Sequence, residues 1–518
     1  MKRTILSAAL ITAALIGAST LPAQHAPAQR DTASNTLEVA NYHIPENLAT
    51  IKERHEGASG KTILYIQDAH CNFEAQSNNA KILEELVKNH GVKLVAVEGS
   101  TGLIDTAPFS QFPDKDIKTE VATYFMKKGR ITGPEYLSIT SDLKFMIWGI
   151  EDENAYKENY DAFVKTITAK DQNRKVLDQL GRGLEITKQN IFSAALKELD
   201  AKMNGYRNNT IPFLDYAKYL TAKARGAGID LAGYPNFNQQ NRALVLETAI
   251  DFKRVDQERG SCIDALSKKM GKDKLSELVT KSLSFRLGKI PAEDYYAFLK
   301  DTAQAAGIDF GKFKNLSQYT DYVALLKNIK AAELINECDR LADDIKEKLF
   351  KNDDERAVNR AAKDLVTLEN LFELKLSPAD FEYFEKNRAR SSSTSLLDIL
   401  NKYQSRFNLA LPDRRDLEGI DNYIPTAEHF YRVAKKRDNI LIQNTADKMQ
   451  QENADRAVLV AGGFHTDGIA DILRDKGFSY IVITPRITNP NAENPYLDVM
   501  LNKKTPFEEL LMSSEPAK

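Results

Sequence analysis

The sequence predicts an α/β protein: a mostly parallel sheet flanked by helices and split by a long all-helical insertion. Two observations predict it. Short apolar runs of strand length alternate with helix-spaced segments over residues 60–155 and again over 430–488. Between them, over 155–430, alternation with period two is almost absent and charged amphipathic segments follow one another. Strand–helix–strand succession marks a parallel sheet with helical crossovers. The scarcity of chain breakers agrees, with 25 Gly and 17 Pro in 518 residues.

The chain opens with Lys2 and Arg3, an apolar run from Thr4 to Leu21, and small residues at Ala26-Pro27-Ala28. That is the pattern of a signal peptide over 1–28, and it implies export to the periplasm or beyond the cell. The alternative is a membrane anchor, against which Ser7, Thr12, Ser19 and Thr20 dilute the run. No later stretch reaches about 18 continuous apolar residues, so no transmembrane helix is expected after processing. Residues 29–60 read as a polar entry segment, with Pro45 placed to open a short helix carrying Leu48 and Ile51.

Thr62–Ile66 is the first strand. Ala80, Leu83, Leu86 and Val87 then fall at helix spacing, and Gly91 closes that helix. Leu94–Val97 is a second strand. Residues 116–141 read as two short helices, broken at Gly129 and at Gly133-Pro134, and Phe145–Ile150 is a third strand. The insertion follows, with amphipathic examples at Val176–Leu199, Phe213–Ala224, Lys272–Leu287 and Asp353–Leu374. No fixed period makes it a solenoid. The α/β texture returns with a strand at Ala457–Ala461, a helix at Asp467–Asp475 and a strand at Tyr480–Thr484. Residues 489–518 are a polar tail with one short helical piece at 507–512.

Composition excludes several classes. Lys and Arg number 71 against 73 Asp and Glu, so the basic excess of a nucleic-acid binder is missing. With 42% hydrophobic residues the chain is not globally disordered, and three cysteines cannot form a disulfide framework. No Gly-rich phosphate loop, G-x-S-x-G or H-E-x-x-H is present. The oligomeric state is not encoded in any pattern of this kind.

The chemistry gathers at strand ends. The first strand runs into Gln67-Asp68-Ala69-His70, the second into Glu98-Gly99, the third into Glu151-Asp152 and the fourth into Gly462-Gly463-Phe464-His465. In a parallel sheet these ends share one edge, and ligands bind beyond it. Acids are common, but only seven histidines occur in the chain, so His70 and His465 carry more weight. Imidazole and carboxylate are the usual ligands of zinc, manganese and related ions. His70, Glu98 and His465 are therefore candidate ligands of a divalent metal of the Mn, Zn or Co type. Such a site leaves room for a water whose pKa the ion lowers. Glu151 would be a further ligand or a general base. Gly462 and Gly463 would let the chain turn sharply and bring a ligand close. The plainer alternative has Asp68, Glu151 and Asp152 capping the helices that follow them. Cys71 reads as a small buried side chain rather than a nucleophile. His25, His43, His55, His90 and His429 sit in the leader, the entry segment or on helices, where they need no functional reading.

This pattern resembles the TraB/TIKI–erythromycin esterase–ChaN superfamily. The resemblance rests on His70 after the first strand, Glu98, Trp148-Gly149-Ile150-Glu151-Asp152, Arg437-Asp438 on a late helix and Gly462-Gly463-Phe464-His465. It covers residues 60–155 and 430–485. Paired G-x-x-H motifs and strand-end glutamates mark that family; here Gln67 stands where the first motif has glycine. The resemblance implies a metal-dependent hydrolase acting on a peptide or small ester, and it also admits a haem-binding branch. It places Arg437 in the site, holding a carboxylate or a substrate oxyanion. The alternatives are a haem- or ligand-binding envelope protein and a non-catalytic interaction protein. On the hydrolase reading Glu98→Gln should remove activity and leave stability unchanged or raised, since clustered acids repel one another.

Overall fold

The computed structural model describes residues 37–504 except 289, 490 and 491. The signal peptide expected over 1–28 and the helical piece expected at 507–512 lie outside the described residues. Seven strands form one mixed sheet: β1 (Ala49–His55), β2 (Thr62–Asp68), β3 (Leu94–Val97), β4 (Thr101–Leu103), β5 (Met146–Ile150), β6 (Arg456–Gly462) and β7 (Ser479–Pro485), in the order β1-β7-β2-β6-β3-β5-β4. The five inner strands are parallel, and β1 and β4 close the edges antiparallel. Strand β6, from the far end of the chain, lies between β2 and β3. Its register pairs Asp68 with Gly462, and Val97 with Val460, so three strands end nearly level.

Alternation along the strands sends side chains to two faces. Leu64, Ile66, Val95, Val97, Val458 and Val460 face one way and pack on Ile82, Leu83 and Leu86 of α1 (Phe73–His90). Ile63, Tyr65, Leu94, Ala96, Leu459 and Ala461 face the other way. There they meet Leu441 and Ile442 of a 28-residue helix and Ile469 and Leu473 of a shorter one. We call these α3 (Ile424–Gln451) and α4 (Thr466–Asp475); α2 is Glu153–Thr168, which follows β5 and packs beside α3. The inner strands are apolar on both faces because both are covered, as expected of parallel strands. Gly91 ends α1 in the left-handed region at φ 65°, as its place in the sequence predicts.

Three stretches correct the sequence reading. Residues 49–55 form an edge strand, not the tail of a Pro45 helix, and Leu37, Val39 and Tyr42 before it are buried. Lys52, Glu53 and Arg54 hide the strand from a hydrophobicity pattern, yet charge on an edge strand is what keeps it from pairing with other chains. Strand β4 has three residues, too few to carry a period. Within the insertion, Val176–Leu199 is not one helix: it divides at Phe192-Ser193 between helices Lys170–Ile191 and Ala194–Arg207. Ser193 caps the second through the amide of Leu196.

No strand lies between 155 and 430 among the described residues. The chain divides into two compact units there: one holds the sheet with residues up to 187 and from 360, and the other is Lys188–Asn359. The second unit has two apolar clusters, around Tyr216, Phe237 and Leu341 and around Cys262, Tyr295 and Leu299. Within it Asp200 joins Lys188 and Lys346, both largely buried. Among the described residues no helix is long and apolar enough to cross a membrane.

Candidate functional site

Strand parity builds the site. Val97 faces α1, so Glu98 turns to the opposite face, under α3. Asp68 follows the parity of Leu64 and Ile66 towards α1, where Gln76 and Asn79 donate to its Oδ1 at 2.6 and 3.1 Å. Its other oxygen accepts from His70 Nδ1 at 2.6 Å. Between β2 and α1 the chain turns through Cys71, which takes φ 59°. A non-glycine residue in the left-handed region is uncommon, and such strain concentrates at functional turns. Asn72, not Asp68, caps α1, through the amide of Ala75.

On the other side of the edge, β6 passes through Gly462-Gly463 into α4. His465 is 4% exposed, and its Nδ1 meets Asp438 Oδ1 of α3 at 2.5 Å. The two histidines are thus each held by an aspartate at Nδ1. Their Nε2 atoms both face the Glu98 carboxylate: His465 at 3.3 Å from Oε1 and His70 at 3.8 Å from Oε2. The backbone N–H of Gly462 donates to Glu98 Oε2 at 2.6 Å. A Cβ on Gly462 would come within 3.0 Å of His70 Nε2 and 3.3 Å of Glu98 Oε2, so the glycine keeps the space before these atoms clear. Gly463 has no such role: nothing lies within 4 Å of where its Cβ would be. The close approach expected of both glycines belongs to Gly462 alone.

Arg437 of α3 is 4% exposed and surrounded by acceptors. Its Nη2 donates to Glu98 Oε1 at 3.0 Å, its Nε to Glu151 Oε2 at 3.2 Å and its Nη1 to Asn159 Oδ1 at 2.9 Å; Nη2 also donates to Glu151 Oε1. The Tyr156 ring lies 5.5 Å from the guanidinium. Glu151 in turn accepts from Gly99 N–H at 3.1 Å. With both oxygens occupied and the side chain buried, Glu151 is not placed as the base its sequence position offered. It and Arg437 hold Glu98 in position. Asp152 does cap α2, accepting from Ala155 N–H at 2.8 Å. Gln67 donates to Thr466 Oγ1 at 2.7 Å and so ties β2 to the start of α4.

The electrostatics follow from this packing. Burial raises the Glu98 pKa, but His465, His70 and Arg437 outweigh it and hold the carboxyl well below the usual range. Burial lowers both imidazoles, but Asp68 and Glu98 bring His70 up to about 9, and Glu98 and Asp438 do the same for His465. Burial pushes the Asp438 carboxyl up against the pull of His465. It also pushes the Cys71 thiol up to about 11, which keeps it a thiol near neutrality and fits its reading as a packing residue.

The donor set suits a divalent ion in kind. Both Nδ1 atoms are tied to carboxylates, which leaves Nε2 as the ligating atom, the usual outer-shell arrangement of metal-bound histidine. Three cations, Arg437 and the two imidazolium ions, face the four acids Asp68, Glu98, Glu151 and Asp438. Exchanging the two imidazole protons for one divalent ion leaves that balance unchanged. Among the described residues no group of three His, Cys, Asp or Glu side chains is already arranged to hold a metal ion. The gap is on the His70 side, where 3.8 Å separates ring and carboxylate. Two ligands of one tetrahedral ion lie about 3.3 Å apart, so a small inward shift of His70 would be needed.

Gly468 supplies a sharp test of the His465–Asp438 couple. A Cβ there would stand 2.1 Å from Asp438 Oδ2. Gly→Ala within a helix ordinarily stabilises by up to about 1 kcal/mol. Here Gly468→Ala is expected to destabilise by about 1–3 kcal/mol, because Asp438 must give way. Denaturant unfolding of the variant reads the sign directly.

The sequence singled out His70, Glu98, Glu151, Arg437, Gly462 and His465, and all six meet at this edge. It missed Asn159, Tyr156 and Tyr496, which touch Arg437 or His70. Asn and Tyr on amphipathic helices give no signal by spacing. A cleft of about 230 Å³ opens beside the edge, lined by Gly99, Ser100, Thr101, Glu151, Glu153 and Tyr156. Fold and site together define an α/β protein with a polar, histidine-bearing edge at its carboxyl strand ends. No family model, curated protein or solved structure matches the chain.

Proposed function

We propose that this chain is an exported metal-dependent hydrolase that cleaves a peptide or ester bond, with His70, Glu98 and His465 as the residues that hold the ion. The observation that carries the reading is the pair of Asp–His couples whose other ring nitrogens converge on one largely covered carboxylate. The resemblance to the TraB/TIKI–erythromycin esterase–ChaN superfamily supports the same reading, and the leader-like run at residues 4–21 supports export.

A bound ion would supply a Lewis acid for a scissile carbonyl and for the attacking water. The chain's own residues do the rest. Asp68 and Asp438 hold the imidazole planes. Arg437, Glu151 and Asn159 fix the Glu98 carboxylate from behind, so that it does not swing when charge changes before it. The His70 side chain is 38% exposed, against 11% for Glu98 and 5% for His465, so substrate enters from the His70 side. The cleft beside Glu151 and Tyr156 offers room for a neighbouring substrate group.

The experiment is metal analysis of the purified mature protein, with melting curves in added manganese, zinc or cobalt and His465→Ala as control. About one ion per chain and a metal-dependent rise in melting temperature for the wild type alone are expected. Absence of both, or a saturable haem absorption band in their place, would overturn the reading. The pH dependence has a definite sign. With both imidazoles near 9, they are protonated at neutrality and must lose protons to ligate. Without metal, the stability these pairs provide is full below about pH 6.5 and is lost as pH rises through 9. Metal affinity runs the other way, rising towards pH 9 by up to about a hundredfold per pH unit if two protons leave. Calorimetry in two buffers of different ionisation heat counts those protons.

A further inference from the structure

We propose that Tyr496 positions the His70 imidazole and that the segment carrying it, residues 492–504, is a strap whose release exposes that imidazole. This rests on His70 being the open side of the site proposed above. The strap touches His70 twice. The Tyr496 ring stacks on the imidazole at 5.8 Å and 13°, and Asn494 Nδ2 donates to the His70 carbonyl at 3.1 Å. With Nδ1 held by Asp68 and Nε2 facing Glu98, the stack supplies the constraint that the in-plane contacts lack: it fixes one face of the ring.

The same segment is weakly held elsewhere. None of residues 492–504 is buried, and its only helix is Tyr496–Met500. Tyr160 donates to the Met500 carbonyl at 2.8 Å, Arg130 to the Lys503 carbonyl at 2.5 Å, and Phe163 meets the edge of Tyr496 at 6.2 Å. A segment with no buried residue, held among the described residues by exposed and part-buried hydrogen bonds and ring contacts, opens at lower free energy than the core. Val499 packs by the turn that carries His70. A Cβ on Gly129 would meet Cys71 Sγ at 2.7 Å and Val499 Cγ2 at 3.2 Å, which puts these two side chains no more than about 6 Å apart.

That proximity provides the test, and its readout does not depend on hydrolysis. Diethyl pyrocarbonate modification of His70 is followed by peptide mass at fixed pH, with buried His465 as internal control. Tyr496→Ala is expected to speed modification of His70 about tenfold, while Tyr496→Phe, which keeps the stack, stays within about twofold of wild type. Val499→Cys should bridge to Cys71 under oxidised glutathione, since Cys262 and Cys338 are buried. The bridge should slow modification below the wild-type rate, and reductant should restore it. An unchanged rate in Tyr496→Ala, or an unchanged rate in the bridged variant, would overturn the strap. If the modification rates follow the expected pattern but no variant hydrolyses anything, the strap stands and the hydrolase reading falls.

Discussion

Arg437→Met is expected to destabilise the protein by about 3–5 kcal/mol at neutral pH, the usual cost of leaving buried charge uncompensated. One guanidinium serves Glu98, Glu151 and Asn159 from inside the protein. Methionine fills a similar volume but leaves Glu151 without its cation and Glu98 with only the two histidines. Arg437→Lys should recover only part of the loss, because an ammonium cannot make the forked contact with Glu151 while reaching Glu98. The pH dependence supplies the control. Glu98 has a depressed folded pKa, so its contribution is present above the unfolded value of about 4.5 and is lost as pH falls through the folded value. His465 and His70 contribute more to that depression than Arg437 does, so the variant keeps most of it, and the two unfolding curves should fall together and stay apart as pH drops. Urea unfolding at several pH values checks both parts, and a loss under about 1 kcal/mol at neutral pH would mean that the guanidinium is not the clamp described here.

On the hydrolase reading proposed above, Glu98→Gln is expected to lower hydrolysis by at least about a hundredfold, since glutamine offers neither the charge that balances a divalent ion nor a site for a proton. Its effect on stability reverses the expectation from sequence. Read as a row of acids, the edge repels itself and losing a charge would be harmless. In the folded protein Glu98 stands among His70, His465 and Arg437, so the substitution removes the common partner of three cations. A loss of about 1.5–3 kcal/mol is expected, the range for a hydrogen bond to a charged group. The same change should bring the imidazole pKa values down from about 9, because Glu98 is one of the groups that raise both. Proton NMR of the two rings reads that shift without any assay of activity. Added metal should raise the melting temperature of the wild type and not of the variant; equal shifts would remove Glu98 from the ligand set.

The sequence by itself determined the inner sheet, the helical stretch between its halves, and the residues at its edge. Strands buried on both faces are apolar throughout, and their C-terminal ends announce themselves where that apolarity stops, at Asp68, Glu98, Glu151 and Gly462. Rare histidines at two of those ends were legible for the same reason. The edge strand Ala49–His55 was not, because charged residues serve an edge and mask its period. Nor was the division of labour among the acids. Asp68, Glu98, Glu151, Asp152 and Asp438 are the same chemical group, and each could be a cap, a ligand or a base. Only the folded chain assigns them: Asp152 caps a helix, Asp68 and Asp438 hold imidazoles, Glu151 locks Arg437, and Glu98 faces both histidines. A carboxylate's charge, pKa and role depend on which cations and amides lie within a few ångströms. For Glu98 those partners come from positions as distant as Arg437, Gly462 and His465, which only the tertiary structure brings together.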